Sequence, residues 1–496
     1  MKVLEDLVAP AVVSDLVSRL ISFLTSQYVK KRTSQKGTAR RLQLLTFKIH
    51  AVVDEAQQRD LASNRRLLLW VKKLIEGMYL AYYMLDISTH HVDDQGCALV
   101  TRSWSFGVNH PRKRPCLIGD DNCGIDQLSA VLRRLEVVAA DMKEFIVLLA
   151  CCPRISLPPP FSSSSSDDKV MFGRLVEREQ IISFLLQPRS NLGVLPIVGD
   201  PEAGKGTIVK HVCSDERVRG HFAVIVYSYG SYLVQENCGQ DMLRTLRIGG
   251  HVLHESSASG HERHLIVIKN TFEVVINLEV WTILCESLRL RAPGSKVIVI
   301  SEKDNIADLG TAMAMRVNPL PWEEYWYFFM SLAFGGNNDQ EEHSAELAVL
   351  GRQIAAVLHG SFFGAKVLGG ILRMNLNKKF WEGVLDVVNN FNETMQGDGV
   401  DHFSKIRVAN MVLKTLPLPL KLKSALQQTR SDDLELTGMT VQELLHSAPV
   451  PHRKEMRIIL WESACPPNYR YIVVCEKVKA EHACVETERK RRRNQQ

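Results

Sequence analysis

Three stretches in the first ninety residues place apolar residues three or four positions apart, which is the spacing of one helix face. The first stretch runs from residue 3 to residue 24, and Pro10 fits there only in an opening turn or a kink. The apolar positions of the second and third stretches are Leu42, Leu45, Ile49, Val52, Ala56, Leu67, Trp70, Val71, Leu74, Met78 and Leu85. Since each helix has an apolar face to bury, the pattern predicts an N-terminal helical bundle over residues 1–91.

The next segment, residues 92–168, mixes irregular and periodic sequence. Residues 92–124 are rich in Gly, Pro, Asp and Asn, which indicates a loop or a poorly ordered insert. A helix is predicted from about Gln127 to Leu149, ending where Cys151, Cys152 and Pro153 follow. Three consecutive prolines and five serines come next, a composition typical of a linker. We place the clearest domain boundary of the chain in this linker.

Beyond the linker, short apolar runs alternate with helical periodicity. The runs are residues 193–198, 223–227, 265–268 and 296–300. Their spacing predicts a parallel sheet with crossover helices, an α/β nucleotide-binding domain over residues 169–318. Pro196 argues locally against the first strand, because proline cannot donate a hydrogen bond to a neighbouring strand.

The remaining sequence predicts two further parts. Helical periodicity returns from Trp322 to about Phe391, which indicates a small helical domain over residues 319–395. Residues 396–496 form a mixed C-terminal segment, with helical turns near Met411–Gln428 and a strand-like stretch at Tyr469–Cys475. The segment ends in a basic tail that either directs nuclear import or is a solvated charge run.

Composition excludes several classes of protein. The 496 residues imply roughly three or four domains, and 45% apolar with 23% charged residues is ordinary for globular proteins. A net charge of +6 is too small for a dedicated nucleic-acid binder. The eleven cysteines include no CxxC pair, so neither a disulfide framework nor a zinc ribbon is indicated. No signal peptide or transmembrane run is evident, so we expect a reduced, intracellular protein.

A phosphate-binding motif follows the first apolar run. The residues from Gly199 to Thr207 nearly match Gly-x4-Gly-Lys-[Ser/Thr] at a strand-to-helix junction. Glycines there let backbone N–H groups surround phosphates, the lysine adds a positive charge, and the hydroxyl holds magnesium. Gly204 and Lys205 are present, whereas Gly206 takes the hydroxyl position and the threonine lies one residue late. The alternative is a glycine-rich turn without a ligand.

The second half of such a site is a carboxylate at the end of a neighbouring strand. The candidate strand at 265–268 ends in Lys269 and Asn270, so the acidic positions are absent. Efficient ATP hydrolysis needs the metal, and we therefore expect little or none. We hypothesise that Lys269 partly replaces the charge of the metal and holds a diphosphate without magnesium. The alternative is that Lys269 points to solvent in an inactive site.

At this point the sequence resembles the coiled-coil NLR type of plant immune receptor, in a short form with a degenerate NB-ARC domain. The motifs that carry the resemblance, in chain order, are residues 70–74 with 82–86, Phe172-Gly173-Arg174 with Glu177 and Glu179, residues 199–207, Gly220-His221-Phe222, residues 294–299, residues 326–334 and residues 360–366. Departures from the family pattern fall at Gly206, Lys269, Asn270, Glu302 and Phe362. We find no Met-His-Asp tripeptide and no leucine-rich repeat.

The resemblance implies a fold and a role. The fold is an N-terminal helical bundle, an α/β P-loop domain with a small helical domain, and a mixed C-terminal segment. The site would bind ADP or ATP as a structural or switch ligand, without magnesium and without enzymatic turnover. The implied contacts are Phe172, Gly173, Arg174, Gly199, Gly204, Lys205, Gly206 and Thr207.

The resemblance also implies partners and a location. The bundle would associate with itself, with host proteins or with other receptors of this type, in the cytoplasm or the nucleus. A second interpretation is a nucleotide-free adaptor or decoy scaffold for full-length receptors. The pairs His251/His254 and His261/His264 lie in sequence of loop composition with no nearby cysteine, so we expect no metal site.

Overall fold

The structure is a computed structural model of the chain. It describes residues 35–90, 121–155, 171–188, 191–233, 242–256, 263–270, 276–335, 345–358, 360–394, 405–416, 418–429, 438–445, 455–463 and 469–477. The chain divides into two compact units, Met1–Ile155 and Ser156–Gln496. In the described part, no helix has both the length and the apolar character needed to cross a membrane.

Helices make up the described part of the first unit. They are α1 (Gln35–Gln57), α2 (Arg65–His90), α3 (Asp121–Ala140) and α4 (Met142–Ala150). The buried positions of the two predicted stripes are Leu42, Leu45, Ile49, Val52, Ala56, Leu67, Val71, Leu74 and Met78. These two predicted helices are therefore confirmed. The helix predicted over residues 3–24 lies outside the described residues.

The segment predicted as one helix from Gln127 to Leu149 differs in the structure. This part of the chain forms two helices, α3 and α4, which are separated at Asp141, and α3 begins at Asp121 within the predicted loop. Leu128 and Leu135 are buried, and α3 packs against both α1 and α2. The bundle core thus extends past the predicted boundary at residue 91, because the apolar face of α3 is buried in it.

A six-stranded sheet lies in the second unit. Its strands are β1 (Gly193–Gly199), β2 (Val224–Tyr229), β3 (His251–Glu255), β4 (His264–Lys269), β5 (Lys296–Ser301) and β6 (Met315–Val317). The order is β3-β2-β4-β5-β1-β6, and every neighbouring pair is parallel except β2 with β3. The helices of this region are α5 (Leu175–Leu186), α6 (Lys205–Ser214), α7 (Glu216–Arg219), α8 (Met242–Gly249) and α9 (Leu278–Arg291). The four predicted strands are confirmed.

The edge strands β3 and β6 were not predicted. His251 and His254 lie on β3, paired antiparallel with β2, and not in the expected loop. Each residue of β3 is at least partly exposed, so the strand has no continuous apolar run. The register with β2 shifts between the two histidines, so that His254 lies opposite Ile225 and His251 lies opposite Tyr227.

Pro196 fits within β1 because an N–H group at this position would face the β6 side, where β1 has no strand partner before Ile197. The N–H of Val194 bonds to Thr311 Oγ1, so alternate residues of β1 face the β6 side. Pairing with β6 begins only at Ile197. At Pro196 the neighbour is Gly310, where an added Cβ would lie 2.7 Å from the proline ring. The proline therefore removes no hydrogen bond from the sheet.

Helices and a second sheet form the rest of the unit. The helices are α10 (Trp322–Phe334), α11 (Ala345–Leu358), α12 (Phe362–Met374), α13 (Lys378–Thr394), α14 (Lys405–Thr415) and α15 (Val441–Leu445). The strands are β7 (Leu420–Thr429), β8 (Met439–Thr440), β9 (Glu455–Glu462) and β10 (Tyr469–Lys477), in the order β7-β10-β9-β8. The predicted helical stretch at 322–391 and the predicted strand at 469–475 are both present.

The C-terminal segment shares its core with the helical domain. Phe329 and Trp381 of the helical domain belong to one hydrophobic cluster with Val412 and Val473 of the C-terminal segment. The predicted boundary at residue 395 is therefore not a boundary in the packing. The helical turns expected up to Gln428 end at Thr415, and β7 follows, with apolar residues two positions apart at 418, 420 and 422.

Candidate functional site

The site begins at the carboxyl end of β1, where residues 199–204 turn into α6. Gly204, the residue before α6, has a φ of +86°, which favours glycine. Gly199 has a φ of +155°, and an added Cβ would lie 2.1 Å from the carbonyl oxygen of Val317. The turn therefore needs both glycines. It leads into the N-terminus of α6, where backbone N–H groups attract phosphate.

Lys205 is the first residue of α6, and its side chain is buried. Its ammonium group donates to the carbonyl oxygens of Gly199 (2.8 Å) and Asp200 (2.6 Å). Burial lowers the pKa of Lys205, and the charges of Glu302 and Asp200 oppose that change. An ammonium group has three N–H donors, and two of them hold the loop in shape. The same group places a positive charge at the turn.

The two residues after Lys205 place no hydroxyl at the usual magnesium position. Gly206 has no side chain, and an added Cβ there would lie 3.4 Å from the Tyr227 hydroxyl. Tyr227 is buried, and burial raises its pKa, so its phenol is neutral. Thr207 has an exposed side chain on α6. The phenol of Tyr227 thus lies next to the volume that a serine or threonine side chain would fill.

The end of β4 carries a cation where a metal site needs an anion. Lys269 is the last residue of β4, and the buried Asn270 follows it. Burial and the positive charge of Lys405 lower the pKa of Lys269 to about 8, while Glu302 opposes this shift. With no hydroxyl at residue 206 and no carboxylate at residues 269–270, these positions do not fit a magnesium ion.

Glu202 links the phosphate loop to the helical domain. It has a φ of +62°, and no other described non-glycine residue has a positive φ. Its carboxyl group accepts a hydrogen bond from the hydroxyl of Ser361, the N-cap residue of α12. Burial raises the pKa of Glu202 to about 7, against the hydrogen bond from Ser361 and the charge of Lys405. Strained backbone of this kind persists where surrounding contacts hold it.

The predicted segment 172–174 also contacts the loop. Arg174 is buried and donates to the carbonyl oxygens of Ala203 (3.0 Å) and Asn318 (2.7 Å). Phe172 has its ring 5.1 Å from that of Phe328, which places it against α10.

Gly173 lies between them with a φ of +66°. An added Cβ there would lie 2.5 Å from a carboxylate oxygen of Glu324. Of this segment, Arg174 donates a hydrogen bond to the loop, and Phe172 packs against the ring of Phe328.

Phe362 closes one side of the loop. Its ring lies 3.6 Å from the Cβ position of Gly204 and 5.1 Å from the ring of Phe328. The guanidinium carbon of Arg174 lies 5.7 Å from the centre of the same ring. Phe362 is one of the departures from the family pattern, and its ring packs directly against the turn.

Two functional candidates were missed in the sequence. Lys405, at the start of α14, and Tyr471, on β10, both interact electrostatically with Glu202. Burial, followed by the charge of Glu202, raises the pKa of Tyr471 to about 12. Neither residue belongs to a motif, and both lie about two hundred positions or more from the loop in sequence. Only folding of the C-terminal segment onto the loop reveals them.

A buried network of ion pairs joins α5 to α7 next to the site. Glu179 of α5 is fully buried and accepts hydrogen bonds from Arg178 (2.8 Å) and Arg217 (2.9 Å). Arg217 also pairs with Asp215, the N-cap residue of α7. The network ties the helix that begins after Arg174 to the end of α6.

Comparison with known proteins finds a family match within the second unit. Residues 176–339 match the NB-ARC domain. Disease resistance protein RGA2 of Solanum bulbocastanum is 26% identical over 393 residues, covering 76% of this chain and 39% of that protein. Putative disease resistance protein RGA1 of the same plant is 25% identical over 393 residues, covering 76% of this chain and 38% of that protein. The chain thus spans about two fifths of the length of these relatives.

A solved structure also matches. The crystal structure of Cdc6p from Pyrobaculum aerophilum covers 53% of this chain and 72% of its own, at 12% identity and a TM-score of 0.29, which is too low to establish a common fold. Residues 176–339 match the NB-ARC domain, and about three quarters of the chain is similar to plant disease resistance proteins.

Proposed function

We propose that this chain acts in plant defence as an NB-ARC protein whose site holds the phosphates of ADP without magnesium and with little or no ATP hydrolysis. The observation that carries the proposal is Lys269, an ammonium group at the end of β4 beside the phosphate loop. A metal-dependent site needs a carboxylate there. The names of the relatives support the defence role.

Charge at the site favours an anionic ligand. The positive charge of Lys205 contributes to the lowered pKa of Lys269, so the two cations repel each other in the absence of an anion. A diphosphate would relieve this repulsion and restore both pKa values towards their ordinary range. Lys205 and the N-terminal amides of α6 would hold the diphosphate. Lys269 would supply part of the charge that magnesium supplies elsewhere.

The residues present argue against turnover. Transfer of a phosphoryl group needs charge neutralisation at the leaving oxygens and a group that orients the attacking water. In place of the hydroxyl and the carboxylate that hold the metal, this chain has Gly206 and Lys269. We therefore infer that the nucleotide is a ligand, which stabilises the arrangement of the sheet and the helical domain that binds it best.

Identification of the co-purified nucleotide tests the proposal. The purified protein is denatured, and the released nucleotide is identified by chromatography beside a Lys205→Ala variant. Lys366→Ala serves as the matched control, because Lys366 contacts the ring of Trp461 and lies on a different helix. ADP close to one per chain in the parent and control, and little in Lys205→Ala, is the expected result. No nucleotide in any of the three proteins would refute ADP binding.

The role of Lys269 has a separate test. Lys269→Asp introduces the carboxylate that a magnesium site requires. If the ammonium group replaces the metal, this variant binds ADP more weakly than the parent, with or without magnesium. An affinity that rises in Lys269→Asp when magnesium is supplied would contradict the proposed role.

A second function, a nucleotide-free scaffold, has one specific observation in its favour. Phe362 packs against Gly204, and Ser361 bonds to Glu202, so side chains of α12 already cover part of the loop. A chain that binds no nucleotide would use this packing as a purely structural joint. It would then act as an adaptor or decoy for full-length receptors. The released-nucleotide measurement distinguishes the two functions.

Association through the helical bundle is a further part of the proposal. Phe47 and Val137 are large apolar residues of the first unit that are 72% and 68% exposed. Exposed apolar side chains mark a site of association where they form one contiguous patch. We propose that this unit binds host proteins, related receptors or a second copy, in the cytoplasm or the nucleus. Loss of association on Phe47→Glu, measured by sedimentation, tests the contact.

A further inference from the structure

The hydroxyl group of one buried tyrosine lies beside the start of α6. Tyr227 is on β2 and is 1% exposed. Its phenol oxygen lies 3.4 Å from the position that a Cβ atom of Gly206 would take. Gly206 is the second residue of α6, and the helix makes its first backbone bond from the Ile208 N–H to the Gly204 carbonyl oxygen (3.0 Å). The phenol therefore reaches the turn of α6 whose amides come before that first bond.

The Tyr227 hydroxyl forms no hydrogen bond with any of the residues that the structure describes. Its neighbours contact the ring instead. The ammonium group of Lys210 lies 5.6 Å from the ring centre, and the ring centre of Tyr229 lies 6.3 Å away. A polar group in a buried side chain costs free energy until something bonds to it. A ligand that accepts a hydrogen bond at the N-terminus of α6 would satisfy this hydroxyl.

The register of the strands places Tyr227 on the same face of the sheet as Lys269. Tyr227 lies opposite Val267 of β4, and Tyr229 lies opposite Lys269. Residues two positions apart on a strand share a face, so all four belong to one face of the sheet. Because the phenol of Tyr227 reaches Gly206, this is the face that α6 covers. A phosphate bound at the start of α6 would thus lie on the side of the sheet that carries both the phenol and the ammonium group of Lys269.

The chemistry of a phenol suits a phosphate better than a metal ion. Burial raises the pKa of Tyr227, so the phenol keeps its proton at neutral pH. A neutral phenol donates one hydrogen bond, and an ionised phosphate oxygen accepts it. The serine or threonine of an ordinary phosphate loop instead holds magnesium through its oxygen. Gly206 leaves the position of that oxygen empty, and the Tyr227 hydroxyl lies beside it.

We propose that the Tyr227 hydroxyl donates a hydrogen bond to the phosphate bound at the N-terminus of α6, and so supplies from β2 the hydroxyl group that the phosphate loop lacks at Gly206. The inference rests on the proposed function, because it assigns a further contact to the same phosphate group. It makes Tyr227 a determinant of specificity for phosphate without magnesium.

Binding of ADP and of inorganic pyrophosphate by matched variants of the full chain, measured by calorimetry, tests the proposal. Tyr227→Phe removes the hydroxyl and keeps the ring, so a residue that only fills space would tolerate it. Tyr229→Phe is the control, because Tyr229 lies on the same strand and its hydroxyl already bonds to that of Tyr469 (2.7 Å). We expect Tyr227→Phe to weaken both ligands about tenfold, and the control to stay within twofold of the parent.

The outcomes separate this proposal from the proposed function. If the parent binds ADP and Tyr227→Phe binds both ligands as well as the parent does, the role of Tyr227 is refuted and ADP binding stands. Equal losses in Tyr227→Phe and Tyr229→Phe would also refute it, since both would then reflect the packing of β2. If the parent binds pyrophosphate through Tyr227 but no ADP, the nucleotide proposal fails and the phenol contact stands. Binding of neither ligand by the parent overturns both.

Moving the hydroxyl to the loop gives a second test that depends on a gain of binding. Tyr227→Phe removes the oxygen beside Gly206, which leaves room for a serine side chain in the double variant Gly206→Ser/Tyr227→Phe. This double variant should recover most of the affinity for pyrophosphate that Tyr227→Phe loses. Urea unfolding of each variant shows that it is folded. A double variant that binds pyrophosphate no better than Tyr227→Phe would contradict the proposal.

Discussion

Replacement of Glu202 by Gln should make the protein more stable at neutral and alkaline pH. The carboxyl group lies in a strained turn, bonded to Ser361, and burial raises its pKa from 4.5 to about 7. In the unfolded chain the same group is ionised above its ordinary pKa. Folding above pH 7 therefore requires a partly buried carboxylate, whereas Gln fills the same volume without a charge.

The size and sign of the effect follow from proton linkage. A pKa raised from 4.5 to about 7 corresponds to about 3 kcal/mol, and partial exposure of the residue reduces this to about 2 kcal/mol. Because the folded state binds the proton more tightly, this contribution is fully present below pH 4.5. It is lost as the pH rises through about 7. The advantage of Glu202→Gln should therefore be small at pH 5 and about 2 kcal/mol larger at pH 8.

Urea denaturation at pH 5 and pH 8 measures this difference. Asp200→Asn is the matched control, since Asp200 is an exposed carboxylate of the same turn. The parent should lose stability between the two pH values relative to Glu202→Gln, while the control follows the parent. A difference between parent and Glu202→Gln that is the same at both pH values would refute the reasoning.

Four other predictions follow from single residues. Binding of a diphosphate should raise the pKa of Lys269 from about 8, so calorimetry at pH 8 in buffers of different ionisation enthalpy should show proton uptake, and equal heats would contradict this. Arg217→Met leaves the buried carboxylate of Glu179 with less compensation and should cost about 3 kcal/mol in urea unfolding. Gly199→Ala should destabilise the fold, because its Cβ meets a backbone oxygen at 2.1 Å. Gly370→Ala on α12, with no atom within 4 Å, should raise stability by about 0.5–1 kcal/mol; equal melting temperatures for the two glycine variants would refute the assignment.

Local patterns account for much of what the sequence predicted correctly. The four central strands are short runs that are buried on both faces, so their apolar character is continuous and visible. The turn from Gly199 to Gly204 is recognisable because its backbone requires glycine at both ends. The edge strand β3 was missed because its residues are partly exposed and carry no such run.

The departures from a metal site could also be seen in the sequence, because a missing hydroxyl or carboxylate is a property of one position. The residues that surround those positions in the fold could not be seen in the sequence. Whether Lys269 is buried, and whether Lys405 lies near it, depends on contacts between residues more than a hundred positions apart. The same holds for the boundary at residue 395, where a shared core replaced two expected domains.

Residue order was thus sufficient to define the helical bundle, the parallel sheet, the phosphate turn and the family resemblance, since each depends on neighbours along the chain. The charge environment of the site came only from the fold. A pKa depends on burial and on charges within a few ångströms. In this protein Lys205, Lys269 and Lys405 belong to three separate segments, and only the packing of those segments lets the charges of Lys205 and Lys405 act on Lys269.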